Sequence, residues 1–177
     1  MTSTAPADLW ERIADEASAE SSLWPDALRP DLRSELVFSP LAEERFALGL
    51  ETIYEGYLVH YGEPRLFAPA DSDTALLLGD YLYAHGLVRI AAFGVVDAVS
   101  DLSELISLCS QLRAEQSDGD GQLWAATASL LGRSTLDEPR AALRLRGDPA
   151  PLESAARSHA GDDAVDRALA AHAGRVR

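Results

Sequence analysis

The chain has 177 residues, of which 47% are hydrophobic, and this length suffices for one domain with a buried core. Its 29 acidic and 15 basic residues give a formal net charge of -14, which opposes binding to nucleic acid or to an anionic membrane surface. Because every basic residue is an arginine, the composition excludes lysine-based Schiff-base chemistry and a phosphate-binding loop of the G-K-[ST] type.

The composition also bears on fold class and compartment. Alanine and leucine are abundant and aromatic residues are few, which favours an all-α fold. The single cysteine, Cys109, lies in an apolar stretch and is expected to be a buried helical thiol, as in a reducing cytoplasm. The N-terminus has no signal-peptide pattern, and the apolar stretch Gly86–Val99 is interrupted by Arg89 and Asp97. We therefore expect a cytoplasmic protein without a transmembrane segment.

The first half of the chain predicts an N-terminal arm followed by two interior helices. Residues 1–40 contain one short helix, Leu9–Ala19, before three prolines that prevent a long continuous helix. From Leu41 to Tyr61, apolar residues occur on more than one face, as in a helix inside a bundle. Thr74–Phe93 is apolar at nearly every position, so we expect it to be the central and most buried helix.

The second half predicts five further helices. The first of them packs its apolar stripe on the central helix, whereas the last two offer only a thin stripe. Their expected ranges are 97–116, Leu123–Leu131, Asp137–Arg146, Pro151–His159 and Asp162–Arg177. The chain is therefore divided into the arm 1–40, a helical core 41–132 and the small C-terminal helices 133–177.

One segment carries a family resemblance. Leu76-Leu77-Leu78-Gly79-Asp80-Tyr81-Leu82-Tyr83-Ala84 resembles the L-x-G-D-Y-L-x-A helix of trans-polyprenyl diphosphate synthases. Gly62-Glu63-Pro64 is similar to the R-R-G-x-P turn of that family, and Leu123–Gly132 is similar to its alanine-rich helix. The resemblance covers residues 41–132 and implies a truncated, isoprenoid-synthase-like helical bundle. Members of that family use magnesium to ionise an allylic diphosphate.

The resemblance implies a first pair of candidate magnesium ligands. The first carboxylate motif of the family falls on Glu51-Thr52-Ile53-Tyr54-Glu55, where Glu51 and Glu55 keep carboxylates at positions i and i+4. Thr52 stands in place of the second acid, and His60-Tyr61 stand in place of an arginine pair. Without these groups, the two glutamates should hold a magnesium diphosphate poorly.

A literal D-D-x-x-D sequence supplies a second group of candidate metal ligands, namely Asp162, Asp163 and Asp166. The preceding residues, Ser158–Gly161, are small or polar, unlike the apolar helix that leads into the motif in the family. Acidic residues in a first helical turn cap backbone N–H groups and complement the helix dipole. Helix capping is therefore favoured over metal binding.

Aromatic and histidine side chains on the two interior helices are candidates for a prenyl-binding pocket. Aromatic residues at helical spacing also form ordinary cores, and this second interpretation is favoured. The candidate substrate-binding residues are Tyr57, His60, Tyr61, Tyr81 and His85.

Three functional hypotheses follow. The first is a non-catalytic or regulatory partner subunit in isoprenoid biosynthesis, without a cofactor, in a homo-oligomer or in a hetero-oligomer with a full-length prenyl synthase. The second is a reduced magnesium-dependent prenyl transferase that acts on allylic diphosphates. The third is a homodimeric scaffold unrelated to isoprenoids. The incomplete metal motifs favour the first hypothesis, in which no residue is catalytic.

Overall fold

The computed structural model describes residues 6–29, 31 and 35–176, which form eight α-helices and no β-strand. The predicted all-α fold is therefore confirmed. No helix in these residues is both long and apolar enough to cross a membrane. The helices are α1 (Pro6–Glu20), α2 (Ala47–Tyr61), α3 (Ser72–Ala91), α4 (Val96–Ala114), α5 (Asp120–Ser129), α6 (Asp137–Arg146), α7 (Ala150–Ala160) and α8 (Asp162–Ala173).

Most helix ends follow local sequence signals. The side chain of Asp71 caps α3 by accepting a hydrogen bond from the Thr74 N–H at 2.8 Å. Helix α6 ends at Gly147, where a φ of 64° suits glycine. Helix α2 begins later than predicted, because short 3-10 turns at Ser39–Leu41 and Glu44–Phe46 precede it.

A close contact between α2 and α3 sets the geometry of the bundle. A Cβ atom added at Gly56 would lie 2.9 Å from the carbonyl oxygen of Gly79, and one added at Gly86 would lie 3.0 Å from that of Gly49. Each helix therefore places two glycines, seven residues apart, on the shared side. The pairing of the first glycine of one helix with the second of the other makes the helices antiparallel, with their backbones in close approach.

Two hydrophobic clusters form the core. The larger one combines residues of α2, α4 and α5 with residues of the three C-terminal helices, such as Leu152 and Val165. The C-terminal helices thus share one interior with the segment 41–132. The smaller cluster joins Trp10 of α1 to Leu78 of α3. The N-terminal arm is packed against α3 through this second cluster.

Helix α3 is not the most buried element, contrary to the expectation from its composition. Its buried residues are Leu78, Gly79, Leu82, Gly86 and Ile90, which face α1 or α2. Helix α2 instead buries every residue of its central part. The prediction was wrong because apolar residues on all sides of a helix show what can be buried, not what covers it.

We expect Gly56→Ala to lower the free energy of unfolding by about 1–3 kcal/mol, because the added methyl group meets a backbone oxygen that is fixed within α3. Gly79→Leu should also lower the free energy of unfolding, because the Cβ atom of the new side chain would overlap the ring of His60. Gly174→Ala is the control, since the nearest atoms to its Cβ lie at 3.7 Å. Urea denaturation measures all three, and equal midpoints for Gly56→Ala and Gly174→Ala would contradict the close contact.

Candidate functional site

The two glutamates that are candidate magnesium ligands are bound by an arginine of this chain. Glu51 and Glu55 lie one turn apart in the buried part of α2, and Arg65, in the segment after this helix, is 0% exposed. Its guanidinium donates to Glu51 Oε2 at 2.5 Å and to Glu55 Oε2 at 3.1 Å. These three residues are referred to below as the Arg65 cluster.

Further contacts saturate the Arg65 cluster. Glu55 Oε1 accepts hydrogen bonds from three successive backbone N–H groups, beginning at Arg65, at 2.8, 2.7 and 3.2 Å. The rings of Trp10 and Tyr54 lie 4.5 and 4.8 Å from the guanidinium carbon. Burial by itself would lower the pKa of Arg65, but the charges of Glu51 and Glu55 outweigh this effect and raise it. A metal ion at these carboxylates would therefore compete with the guanidinium of Arg65.

The second group of candidate metal ligands lies on the surface at the start of α8. The N-cap residue of this helix is Gly161, and no side chain makes a capping hydrogen bond there, so the hydrogen-bonding part of the capping interpretation was wrong. Asp162 and Asp163 lie in the first turn, where they complement the helix dipole. Asp162 and Asp166 also bind the guanidinium of Arg157, at 3.5 and 2.7 Å.

The described residues contain no group of three or more histidine, cysteine, aspartate or glutamate side chains placed to hold a metal ion. Cys109 is buried, as predicted, and burial raises the pKa of its thiol well above the ordinary value. A thiol in this state is a poor nucleophile and a poor metal ligand.

The five candidate substrate-binding residues lie on two helices with different neighbours. On α3, Tyr81 and His85 stack on each other and face α1, where His85 Nε2 lies 2.7 Å from Glu16 Oε2. Their contacts hold the N-terminal arm against α3. The other three, Tyr57, His60 and Tyr61, lie on α2. The ring centroid of Tyr61 is 5.3 Å from that of Tyr57 and 5.6 Å from that of His60.

A second buried polar group, which the sequence analysis missed, joins α8 to α2. Asp120 accepts hydrogen bonds from Tyr57 and Arg113, and its Oδ2 lies 3.4 Å from His172 Nε2. His172 Nδ1 lies 3.0 Å from the hydroxyl of Tyr54. Burial by itself would raise the pKa of Asp120, but its interactions with His172, Tyr57 and Arg113 lower it well below the ordinary value. These five residues are referred to below as the Asp120 network.

Only one of these buried groups had a usable sequence signal. Two glutamates on a helix that is apolar on several faces require a buried cation, and Arg65 is the first arginine after that helix. No comparable signal linked Asp120 to His172, because these residues lie far apart in the chain and meet only through helix packing.

The solvent-exposed side of α3 carries apolar residues. Leu77, Ala84, Val88 and Ala91 share this side because their spacings of seven, four and three residues repeat with the helical period. Leu77 is 57% exposed and Val88 is 65% exposed. At the start of α4, Val96 is 78% exposed.

The exposed apolar residues are concentrated in this part of the chain. Five of the seven exposed large apolar residues of the described chain lie between positions 76 and 96, and the other two, Leu23 and Leu145, lie elsewhere. Clustered exposed apolar side chains mark interaction sites, whereas single ones are normal on protein surfaces. This set is referred to below as the α3–α4 face and consists of Leu76, Leu77, Ala84, Val88, Ala91, Phe93 and Val96.

The chain matches no protein-family model, no curated protein and no solved structure. The resemblance to trans-polyprenyl diphosphate synthases therefore stays a hypothesis that depends on the sequence motifs. Function has to be argued from the Arg65 cluster, the Asp120 network and the α3–α4 face.

Replacing Arg65 by methionine should lower the free energy of unfolding by about 3–5 kcal/mol, because two buried carboxylates lose their cation. Adding Glu51→Gln to this variant should recover part of the loss. The control is Arg144→Met, whose side chain is 42% exposed and pairs with Glu104, so that a loss of about 0.5 kcal/mol is expected. Urea denaturation followed by circular dichroism measures these changes. Similar losses for Arg65→Met and Arg144→Met would contradict the structural importance of the cluster.

The Asp120 network predicts a dependence of stability on pH. Because the pKa of Asp120 is lower in the folded state, its contribution is present above about pH 4 and is lost as the pH falls further. Asp120→Asn should therefore lower the free energy of unfolding at neutral pH by about 1–3 kcal/mol and flatten its decrease in acid. Exposed Asp163→Asn is the control. Unfolding curves between about pH 5 and pH 2 test this, and parallel pH profiles for Asp120→Asn and the unsubstituted chain would refute it.

Proposed function

We propose that this chain is a non-catalytic helical subunit that binds a full-length prenyl diphosphate synthase through the α3–α4 face. The observation that carries this proposal is the exposure of one side of α3, a helix that has apolar residues on every side. Helices of this composition are ordinarily covered all round by protein. The class of partner follows from the resemblance of Leu76–Ala84 and its neighbours to the prenyl synthase family.

The length and composition of the α3–α4 face favour a helical protein surface as the partner. Its part on α3, from Leu76 to Ala91, extends for about 24 Å, which is the length of a helix of ordinary size. Burying a leucine or valine side chain in an interface contributes about 1.5–3 kcal/mol to the free energy of association. Covering Leu77, Val88 and Val96 together would thus offset much of the entropy cost of association.

The Arg65 cluster supports the non-catalytic part of the proposal. A magnesium ion bound to Glu51 and Glu55 would have to displace a fully buried guanidinium and leave it without its carboxylate partners. In addition, a chain with a net charge of -14 offers little to attract a diphosphate.

The hypothesis of a reduced magnesium-dependent prenyl transferase makes a different prediction. It requires magnesium-dependent condensation of isopentenyl diphosphate with an allylic diphosphate, and Asp162→Asn/Asp163→Asn should abolish that reaction. We expect the purified chain to show no such turnover. Turnover that this double substitution removes would favour the transferase over the subunit.

One observation favours the hypothesis of a homodimeric scaffold. Ala84 lies midway between Leu77 and Ala91, seven residues from each. Two copies of α3 could therefore cross antiparallel at Ala84, with Leu77 of each copy against Ala91 of the other. A symmetric dimer of this kind would cover the same face without a different partner.

Sedimentation equilibrium tests the proposal with the chain alone and mixed with a full-length prenyl synthase from the same source. We expect a complex in the mixture, weakened about tenfold or more by Val88→Asp, because the substitution buries a charge in the interface. Leu145→Asp is the control, since Leu145 is 76% exposed on α6 and lies outside the face. Monomers in both samples would remove the proposal. A dimer of the chain alone that Val88→Asp abolishes would replace it with the homodimeric scaffold.

A further inference from the structure

The charged residues of α3 and α4 are sorted by sign between the interior and the surface. Both arginines of these helices point toward acidic partners in the fold. Arg89 donates to Glu16 Oε2 at 2.5 Å, and Arg113 donates to the carboxylate of Asp120. The side chain of Arg89 is consequently only 11% exposed. Neither helix places an arginine on its outer surface.

The exposed charged side chains of the same two helices are all acidic. Asp73 and Asp80 lie on the side of α3 that carries Leu77, at spacings of four and three residues from it. Asp80 is exposed although its Oδ1 also lies 3.3 Å from His60 Nε2. Asp97 is exposed next to Val96 at the start of α4. Acidic residues therefore lie among and beside the apolar residues of the α3–α4 face, and Asp73, Asp80 and Asp97 are referred to below as its acidic border. A fourth exposed acid, Glu104, is paired with Arg144 at 2.7 Å.

We infer that the partner surface is an apolar helix flanked by arginine or lysine side chains, so that the α3–α4 face fits a different chain rather than a second copy. This inference rests on the proposed function and adds the chemistry of the partner. Opposite charges around an apolar contact accelerate association, and like charges there exclude wrong partners. The acidic border thus favours a partner whose apolar surface is flanked by basic residues.

The same face of a second copy lacks the required complement, and on α6 the residues Arg144 and Arg146 flank a single exposed apolar residue, Leu145, instead of an apolar stripe. The second copy would bring the same acidic border and another net charge of -14, and no exposed arginine of its α3 or α4 would meet Asp73, Asp80 or Asp97. Anionic lipid headgroups meet the same repulsion. A helical surface with cationic flanks can cover the apolar stripe and also pair its charges with the acidic border.

Two matched peptides test the inference directly. Each is a helix of about 21 residues with a leucine and alanine stripe, flanked by arginines in one peptide and by glutamates in the other. By fluorescence anisotropy, we expect the arginine-flanked peptide to bind about tenfold more tightly or better, and added salt to reduce this preference. Val88→Asp should weaken binding, whereas Leu145→Asp should not.

Exchanging charges on the protein provides the reciprocal test. Asp80→Arg/Asp97→Arg should reverse the preference toward the glutamate-flanked peptide. The control Glu138→Arg/Asp163→Arg makes the same change in net charge at exposed sites on α6 and α8 and should leave the preference for arginine in place. If both double variants shifted the peptide preference by the same amount, net charge alone would explain the preference. That result would overturn the inference, because the border of the face would then have no special role.

The remaining outcomes separate this inference from the proposed function. Equal binding of both peptides that Val88→Asp abolishes would overturn the basic border but leave the face as an interface. Binding of neither peptide would overturn the inference, while complex formation with a synthase would still decide the proposed function. Self-association of the unsubstituted chain, or its binding to phosphatidylcholine vesicles, would overturn the inference if Val88→Asp removed it.

Discussion

The buried guanidinium of Arg65 is the interaction on which the N-terminal half of the fold depends. It binds Glu51 and Glu55 on α2, donates to the carbonyl oxygen of Glu35 at 3.1 Å, and lies against the ring of Trp10 on α1. Removing one partner from a buried ion pair leaves an uncompensated charge and costs about 3–5 kcal/mol. Four separate segments of the chain must therefore be in place together, and the N-terminal arm is an integral part of this fold.

The position of α2 then determines which side of α3 remains open. Because Gly49 and Gly56 face glycines of α3, the two backbones meet without intervening side chains. Helix α1, held by Trp10, covers a second side of α3 through Leu78. The third side, with Val88, faces solvent. The exposed apolar side is thus a consequence of well-packed contacts on the other two sides and not of a loosely packed helix.

Local signals predicted the helices, whereas contacts between distant residues could not be predicted. Capping residues and glycines such as Gly147 mark helix ends through their own backbone preferences. The family resemblance implied a metal ion beside Glu55, but the cation there is Arg65, which reaches it only through the turn that follows α2. Asp120 and His172 belong to helices that meet after α8 has packed on the core. Such pairs carry no periodic pattern that sequence reasoning can detect.

The composition of a helix also does not determine how many of its sides the same chain will cover. Helix α3 has the apolar character of a fully buried helix, yet this chain supplies cover for only part of it. Arg89 and Arg113, which could have made the outer surface polar and mixed in charge, are both bound to acids within the fold. The acids that remain outside favour solubility of the free chain and oppose like-charged copies, but they leave the apolar stripe itself uncovered. An apolar surface bordered by one sign of charge has the features required for selective binding to a partner of the opposite sign.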